Sequence, residues 1–240
     1  MAGPIAILGA TGGIGGALAR RLAARGAPLF LIGRDAARLA ALAAELGAPS
    51  APCDVTDPAA LKAALVAAGT PLAGLAFCVG SIVMKPLART TPTDFAETFA
   101  LNATAAAIAV QAAAPALTAG QGSVVLFSSV AARAGFPGHA VIGAAKAAVE
   151  GLSLALAAEL APSVRVNCIA PSLTRTGIAT PMTKNPQMAE AIAKLHPIPR
   201  LGEAEDAAAL ADFLLSDASG WITGQVIGVD GGRSSLRGRG

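Results

Sequence analysis

Short apolar runs alternate with longer helical patterns along the whole chain. The first run, Ile5 to Leu8, consists of aliphatic and β-branched residues and has the length of a strand. Further runs of strand length follow at Pro28 to Ile32, Ser50 to Cys53, Leu72 to Val79, Ser123 to Phe127, Val164 to Ile169 and Gln225 to Val229. Apolar strands that alternate with helices are typical of a parallel sheet with both faces covered. The pattern therefore predicts an α/β fold with a doubly wound parallel sheet, in a single domain over residues 1–240.

The segments between these runs have helical spacing or helix-starting residues. Asp35 is placed to cap a helix that ends at Gly47, and Asp57 followed by Pro58 starts another. The other predicted helices start near Ala17 and cover Thr93 to Leu117, Ala144 to Leu160 and Glu203 to Leu215. The proline-rich stretch from Thr174 to Pro199 predicts a long loop region with a short helix near Met188 to Leu195.

A glycine cluster separates the first predicted strand from the first helix. Gly9, Gly13 and Gly15 form a variant of the dinucleotide-binding fingerprint, with three residues instead of one between the first two glycines. Glycines at such a turn accept positive φ and let a phosphate approach the backbone N–H groups at the helix start. A plain tight turn would explain the cluster alone, but here it opens a series of strand–helix units. The sequence therefore predicts a Rossmann-type dinucleotide site at the carboxyl ends of the strands.

The composition indicates that much of the surface is covered by protein. Hydrophobic residues make up 54% of the chain and charged residues 14%, so helices on both faces of the sheet, contacts between subunits, or both are expected. The net charge of +3 is small, and Arg233, Arg237 and Arg239 are interpreted as a solvated tail. Because no basic stripe is interleaved with aromatic residues, nucleic acid is not an expected partner.

The cysteines and the start of the chain predict a soluble cytoplasmic protein. Cys53, Cys78 and Cys168 are widely spaced and lie in or beside apolar runs, which predicts buried reduced thiols rather than disulfides or a metal site. The N-terminus lacks the pattern of a signal peptide. The most apolar long stretch, Ala103 to Leu117, is interrupted and shorter than a membrane span. No membrane association is expected.

Residues after the second and third predicted strands indicate how the adenosine end of a dinucleotide is bound. Arg34 can pair bidentately with a 2′-phosphate, which favours NADP. Asp35 could instead turn towards a ribose, so NAD stays open, and a solvated Arg34 beside a capping Asp35 would need no cofactor. Asp54 could accept from the adenine amino group or could cap the turn into Thr56.

Six further motifs follow the glycine turn in order. They are Leu101-Asn102-Ala103, Phe127-Ser128-Ser129-Val130, Ala144-Ala145-Lys146, the run from Val166 to Pro171, the run from Trp221 to Gln225, and Asp230-Gly231-Gly232. Together they resemble the short-chain dehydrogenases/reductases, most closely the bacterial 3-oxoacyl-reductase-like branch. The resemblance covers essentially the whole chain and implies an NAD(P)-dependent oxidoreductase.

This resemblance implies a catalytic set and a cofactor site. The family's active-site Asn, Ser and Lys correspond to Asn102, Ser129 and Lys146, and the Lys would hold the nicotinamide ribose. The glycine turn and the matched motifs give the expected cofactor contacts Gly9, Thr11, Gly13, Ile14, Gly15, Arg34, Asp54, Val55, Gly80, Lys146, Pro171 and Thr176. Structural roles stay open: the Ser129 hydroxyl could bond local backbone, and Asn102 could distort its helix.

The tyrosine that the resemblance implies four residues before the lysine is missing. Ile142 stands there, and the chain contains no tyrosine. In the family this Tyr protonates the carbonyl oxygen as hydride arrives, and such general acid catalysis contributes about 10² to 10⁴ in rate. His139 is a candidate replacement, because histidine exchanges protons near neutral pH. It could equally cap the next helix or pack at a subunit contact, and Lys146 could donate through a water.

Two functions of different classes fit these observations. The first is an NADP(H)-dependent oxidoreductase that transfers hydride to a small carbonyl or imine, assembled as a homotetramer or homodimer through Ala-rich helices. An iminium accepts hydride without a proton at oxygen, so the missing Tyr matters less for it. The alternative is a catalytically silent NAD(P)-binding sensor or the structural partner of an active homologue. A lyase or epimerase that reuses the pocket is a third possibility.

Overall fold

The computed structural model describes residues 3–236 of the protein and contains nine strands in two sheets within that range. The strands are β1 Ile5–Leu8, β2 Leu29–Gly33, β3 Ser50–Pro52, β4 Gly74–Phe77, β5 Ser123–Phe127, β6 Arg165–Pro171, β7 Thr174–Arg175, β8 Gly202–Glu203 and β9 Val226–Val229. Seven of them form one sheet in the order β3-β2-β1-β4-β5-β6-β9, and every pair is parallel. The two-residue strands β7 and β8 pair separately. The predicted doubly wound parallel sheet is confirmed.

Helices cover both faces of the large sheet. They are α1 Gly13–Ala24, α2 Ala36–Leu46, α3 Pro58–Ala67, α4 Pro92–Phe99, α5 Ala105–Gly120, α6 Ala140–Leu160, α7 Thr180–Thr183, α8 Pro186–Ala193 and α9 Ala204–Leu214. Side chains alternate across each strand, so Ile5 and Ile7 pack with α1, α2 and α9, while Ala6 and Leu8 pack with α3, α5 and α6. One buried cluster on each face forms the core.

Local capping explains where two of the predicted helices begin. The Asp35 carboxylate accepts from the backbone N–H of Arg38 at 3.0 Å, and the Asp57 carboxylate accepts from the N–H of Ala59 at 2.9 Å. Both are N-cap bonds of the kind that the sequence predicts. Gly47 ends α2 with a φ of 61°, a backbone conformation that favours glycine. The predicted caps are confirmed.

Three predicted segments differ from the structure. The first helix already includes the last glycines of the cluster, since it begins at Gly13 rather than near Ala17. The helix expected from Thr93 to Leu117 is divided into α4 and α5 by a π-helical turn, Ala100–Thr104. Helix α6 begins at Ala140, one turn before the expected Ala144, because Ala140, Val141 and Ile142 have no helix-starting signal that the sequence pattern could reveal. This earlier start places Ile142 on the helix.

Two helical stretches are long and apolar enough to cross a membrane by length and composition. They cover Pro92–Gly120, with 29 residues and a mean hydropathy of 1.4, and Ala140–Leu160, with 21 residues and a mean hydropathy of 1.5. The stretch from Ala103 to Leu117 is part of the first of these, so its own length does not decide whether the longer helical stretch could span a membrane. Packing against the sheet accounts for much of its apolar character, since Ala109, Ala113 and Leu117 are buried in the core.

Some large apolar side chains are nevertheless on the surface. Leu154 on α6 is 61% exposed, and Val66 on α3 is 69% exposed. Trp221, the chain's single tryptophan, is 99% exposed in the turn before β9. Exposed apolar side chains thus occur on α6, on α3 and before β9.

Candidate active site

A cavity of about 420 Å³ lies at the carboxyl ends of β4, β5 and β6. Its walls come from the segments that follow these strands, from the N-terminal part of α6 and from residues 173–192. Most of the lining side chains are apolar. This edge of a parallel sheet is where such folds bind ligands, so the cavity is the candidate active site.

The glycine turn lies next to this cavity, against the Thr176 segment, and its backbone is closely packed. Gly9 has a φ of 77°, and a Cβ on Gly15 would lie 2.2 Å from the Gly9 carbonyl oxygen. A Cβ on Gly13 would lie 2.6 Å from the Thr176 side chain, so the turn and the Thr176 segment touch. No side chain caps the N-terminus of α1, which leaves its N–H groups able to bind a phosphate. Ile14 lines the cavity.

A second cavity, of about 470 Å³, lies on the other side of the glycine turn and is lined by Thr11, Gly13 and Arg38 among others. The Arg38 guanidinium donates to the Thr11 carbonyl at 2.7 Å. Arg38 is a site residue that the sequence reasoning missed. Its signal was its position one turn after Arg34, at the start of α2.

Arg34 and Asp54 follow β2 and β3 as predicted. Arg34 is exposed and forms no ion pair within the described residues. The Asp54 carboxylate accepts from the N–H and the hydroxyl of Thr56, at 2.9 and 2.7 Å. These hydrogen bonds, with Arg34 acting through its charge, hold the pKa of Asp54 below its ordinary value. Asp54 thus caps its own turn, while the neighbouring Val55 is buried.

Lys146 is buried in the wall of the cavity. Only 8% of the residue is exposed, and its ammonium donates to the Phe127 carbonyl at the end of β5, at 2.9 Å. Burial lowers the pKa of Lys146 to about 8, because desolvation disfavours the charged form. A lysine that titrates near neutral pH in a cavity wall is a candidate for binding or proton transfer.

Asn102 lies in the π-helical turn and ties it to the loop after β4. Its amide donates to the Thr98 carbonyl at 2.9 Å and to the Ser81 hydroxyl at 3.0 Å, and its oxygen accepts from the Ser81 N–H at 3.3 Å. A Cβ on Gly80 would lie 3.0 Å from the Asn102 oxygen and 3.1 Å from the Lys146 nitrogen. Glycine at position 80 therefore lets the side chains of Asn102 and Lys146 approach the same point. Asn102 also lies in the π-helical turn, as expected if it distorts its helix.

Ser129 follows β5 and lines the cavity. Its hydroxyl accepts from the N–H of Ala131 at 3.2 Å, which is the local bond expected of a hydroxyl at the end of a strand. Pro171 at the end of β6 and Thr176 line the same cavity. The structure thus brings together Ser129, Lys146, Pro171 and Thr176 from three separate parts of the chain.

Ile142 and His139 both face the cavity from the start of α6. Ile142 is 3% exposed and presents an apolar wall one turn before Lys146. His139 is the N-cap residue of α6, as the capping alternative expects, but its side chain makes no capping bond. Its Nδ1 lies 2.8 Å from the Pro137 carbonyl oxygen, and its ring centroid lies 5.4 Å from that of Phe136.

Sequence reasoning also missed a polar cluster at the far wall. Ser172 Oγ and His196 Nε2 are 2.8 Å apart, and both residues are buried. Arg233 lines the cavity and lies over the Phe136 ring. The interpretation of Arg233 as part of a solvated tail is therefore wrong, while Arg237 and Arg239 lie outside the described residues. Only long-range contacts bring these residues together.

The prediction that the thiols are buried holds for two of the three cysteines. Cys53 and Cys168 are buried, whereas Cys78 is half-buried, and all three are free. Burial raises the pKa of both Cys78 and Cys168 to about 12, so Cys78 is an unreactive part of the cavity wall. Within residues 3–236 no group of His, Cys, Asp and Glu side chains is arranged to hold a metal ion.

Known proteins similar to this chain are oxidoreductases. The family described as "Enoyl-(Acyl carrier protein) reductase" matches residues 9–234. "Dehydrogenase/reductase SDR family member 4" of Pongo abelii is 35% identical over 241 residues, which cover 95% of this chain and 86% of the relative. "Inactive 2-(S)-hydroxypropyl-CoM dehydrogenase 2" of Xanthobacter autotrophicus is 36% identical over 234 residues, covering 91% of this chain and 100% of the relative.

Solved structures agree with the family match. A gluconate 5-dehydrogenase from Burkholderia cenocepacia, solved in complex with NADP and tartrate, superposes with a TM-score of 0.92 at 28% identity. The match covers 98% of this chain and 96% of that structure. The similarity thus extends over both the sheet and the cavity-forming segments.

Proposed function

Because the chain belongs to the short-chain dehydrogenase/reductase family, we propose that it is an NADP(H)-dependent reductase of small carbonyl compounds. The observation that carries this proposal is the cavity lined by Ser129, Lys146 and Thr176, with the glycine turn packed against Thr176 beside it. When bound, the nicotinamide supplies or accepts the hydride. The close approach of backbone at the glycine turn and the uncapped start of α1 fit the phosphates of such a cofactor.

Charge at the adenosine end supports NADP over NAD. Arg34 is exposed and without an ion pair among the described residues, so its guanidinium can pair with a 2′-phosphate. Asp35, the residue that could have turned towards a ribose, is engaged as the N-cap of α2. Arg38, held against Thr11, adds a second positive charge on the same side.

The buried side chains have distinct roles in this proposal. Lys146 would donate a hydrogen bond to the nicotinamide ribose. Its burial restricts the positions that its ammonium group can adopt. Ser129 polarises the carbonyl of the substrate by donating its hydroxyl, which already accepts a backbone bond from Ala131. Thr176 fixes the nicotinamide end beside Gly13. Asn102 positions the loop after β4 and so keeps Gly80 against Lys146.

The proton must come from a group other than a tyrosine. Ile142 cannot exchange one, whereas His139 lines the cavity with Nδ1 directed at the Pro137 carbonyl, which leaves Nε2 for a substrate. Lys146, with a pKa lowered to about 8 by burial, can donate through a water. The described lining contains Arg233 and Lys146 but no carboxylate, so a carbonyl substrate is favoured over a cationic iminium.

A second function, cofactor binding without turnover, is favoured by one specific observation. The family's proton donor lies four residues before the lysine, and here the buried Ile142 occupies that position. In addition, one relative, which is 36% identical to this chain, is described as inactive. In that case the protein senses the bound cofactor or supports an active partner. Both the reductase and the silent protein bind the cofactor, but only the reductase turns over a substrate.

We further expect a soluble cytoplasmic homo-oligomer. The outward faces of the two long helices remain apolar, since fewer than half of the residues in their most apolar windows are buried in the fold. A second copy of the chain can cover these faces, giving a homodimer or a homotetramer. The three free cysteines are compatible with a reducing compartment.

The test combines cofactor binding with turnover. NADPH and NADH affinities are measured by fluorescence titration, and NADPH oxidation is followed with ketones, 3-oxoacyl thioesters and cyclic imines. We expect NADPH to bind more tightly than NADH, and Arg34→Gln to weaken NADPH binding roughly tenfold or more without affecting NADH. Turnover of a ketone or thioester is the expected result.

The variants His139→Ala and Lys146→Ala locate the proton donor. If His139 donates, His139→Ala lowers kcat about 10²-fold with unchanged NADPH affinity. Turnover that is indifferent to His139 assigns the step to Lys146 or water, and preferential turnover of imines overturns the carbonyl assignment. Tight NADPH binding without turnover of any compound supports the silent alternative, and absence of binding rejects both.

A further inference from the structure

Arg233 points into the cavity because of the turn that precedes it. Gly231 and Gly232 have φ values of 61° and 86°, in the left-handed region where glycine is favoured. Asp230 stabilises this turn: its carboxylate accepts from the N–H groups of Gly232 and Ser234, at 2.8 and 3.0 Å, and from the Ser234 hydroxyl. The chain therefore reverses after β9 and brings Arg233 to the cavity wall.

Two contacts hold the Arg233 guanidinium in place. Its carbon lies 4.9 Å from the centroid of the Phe136 ring, a stacked cation–π arrangement. One of its nitrogens lies 3.5 Å from Ser172 Oγ, at the long limit of a hydrogen bond. Neither contact is an ion pair, and most of the five N–H donors of the guanidinium stay available.

A buried histidine orients the Ser172 hydroxyl. His196 Nδ1 lies 2.9 Å from the Ile192 carbonyl oxygen, so this nitrogen carries the proton, and Nε2 accepts from Ser172 at 2.8 Å. With its own proton directed at His196, the Ser172 oxygen can only accept from Arg233. The pair thus positions the guanidinium without neutralising it.

The charge of Arg233 is not balanced by a carboxylate. Within residues 3–236 no acidic side chain lies within ion-pair distance of it, and Asp230 is engaged in its own turn. Burial lowers the pKa of Arg233, and only the more distant charge of Asp230 opposes this effect. A half-buried, unpaired guanidinium in an otherwise apolar wall is costly unless an anion binds there.

We propose that Arg233 binds the anionic group of a substrate whose remaining part is apolar, with a carboxylate or another oxyanion against the guanidinium. The planar donor face of Arg suits a bidentate oxyanion. The apolar lining accepts the rest of the molecule, and Lys146 is the only other Lys or Arg among the described residues that line the cavity. The role of this group as part of a substrate depends on the proposed reductase function, whereas its binding does not.

The binding test compares two fluorescent probes with the same kind of aromatic body. One is 8-anilinonaphthalene-1-sulfonate, which is anionic, and the other is the neutral N-phenyl-1-naphthylamine. Both are titrated into the full-length wild-type protein, Arg233→Gln and the control Lys62→Gln, which removes an exposed positive charge on α3. We expect Arg233→Gln to weaken binding of the anionic probe roughly ten- to hundredfold, with the neutral probe and the control variant unaffected.

Unchanged affinity of Arg233→Gln for the anionic probe overturns the proposal, as does failure of the wild type to bind either probe. Arg233→Gln could lose both probes because the shape of its cavity has changed. In that case, the binding of both probes to Arg233→Lys and the effect of salt on binding to the wild type test the proposal. Arg233→Lys should keep the neutral probe and retain part of the preference for the anion. Added salt should weaken binding of the anionic probe, but not of the neutral probe, to the wild type. An equal effect of salt on both probes contradicts anion binding by Arg233.

Turnover separates this proposal from the reductase function. NADPH oxidation is measured with an oxo acid and its methyl ester, in the wild type and Arg233→Gln. We expect KM for the acid to rise about tenfold or more in the variant, and a much smaller change in kcat/KM for the ester, so that the preference for the acid is lost. If neither compound is reduced while the probes behave as expected, the reductase function fails and the anion site stands.

Discussion

At the scale of single residues, Ile142 decides how the cavity works. It lies one turn before Lys146 on α6, is 3% exposed and lines the cavity. An aliphatic side chain at this point adds apolar contact area but no proton. In the proposed reductase, a neighbouring group must therefore supply the proton that Ile142 cannot donate.

Replacing Ile142 by Tyr should add a proton donor at this position, which the proposed reductase function would use. The cavity beside Ile142 offers space for the ring, and Lys146 lies on the next turn of the same helix to stabilise the phenolate. We expect kcat for NADPH-dependent carbonyl reduction to rise by about 10² to 10⁴. The measurement is initial-rate NADPH oxidation with the ketone or thioester panel, together with its pH profile.

Ile142→Phe is the matched control, because it adds the same ring without the hydroxyl. It should leave the rate near that of the wild type. An equal gain in both variants would attribute the effect to cavity shape, and no gain in Ile142→Tyr, with NADPH binding retained, would mean that the remaining site cannot support the reaction.

How much of the site could be predicted depends on the range of the interactions. Ser129, Ile142 and Lys146 lie in short motifs with fixed spacing, so the sequence alone could indicate them. The Ser172–His196 pair joins residues 24 positions apart, and Arg233 reaches Ser172 over 61 positions. Contacts of this kind depend on how loops fold over the sheet, and no local pattern encodes them.

At the scale of elements, strand positions were the easiest to predict and helix boundaries the hardest. Continuous apolar runs of strand length leave few alternatives once both sheet faces are covered. The π-helical turn at Ala100–Thr104 could not be predicted, because it depends on the Asn102 amide bonding the Thr98 carbonyl and Ser81. Such turns recur at functional sites, and this one positions the loop beside Lys146.

The outward face of α6 leads to a prediction about assembly. Leu154 is 61% exposed among small residues such as Gly151, Ala155 and Ala158, a surface that allows close packing of a second copy. Leu154→Glu should prevent formation of the proposed oligomer, because a carboxylate buried without a partner at the contact is strongly unfavourable. Size-exclusion chromatography with light scattering measures the resulting mass.

Val66→Glu is the control for this experiment. Val66 is 69% exposed on α3, so the substitution adds the same charge to a different helix and should leave the mass unchanged. A wild-type protein that is monomeric at all accessible concentrations would contradict the predicted assembly, and an oligomer unaffected by Leu154→Glu would place the contact elsewhere.

At the scale of the whole molecule, the sheet places the site and also determines its electrostatics. The carboxyl ends of β4, β5 and β6 converge on one edge, and helices cover both faces. Lys146 is consequently enclosed by protein on every side except the cavity. The stability of the molecule and the charge state of its site are therefore coupled.

This coupling predicts a pH dependence of stability. The pKa of Lys146 falls from 10.5 to about 8 on folding because of burial, so between these pH values the unfolded chain holds a proton that the folded chain has lost. Stability due to this group therefore rises with pH across that window. The full change is on the order of 3 kcal/mol, measured as the free energy of unfolding in urea.

The variant Lys146→Met isolates the contribution of Lys146 to the pH dependence of the free energy of unfolding. The buried thiols titrate in both proteins, so their contribution cancels when the two free energies are subtracted. The wild type should gain stability relative to Lys146→Met as the pH rises from about 8 towards 10.5, and the difference should be constant below that window. A difference that does not change with pH would mean that Lys146 stays protonated in the folded protein.

Trp221 gives the molecule a simple optical property. The chain has one tryptophan and no tyrosine, so its near-ultraviolet absorption and intrinsic emission come almost entirely from one indole that is 99% exposed. The emission of this fluorophore responds to the solvent around a single point on the surface, without background from other residues. An assembly that covers Trp221 shifts the emission to the blue, and a bound reduced nicotinamide accepts its excitation energy. The unmodified protein is thus its own spectroscopic probe.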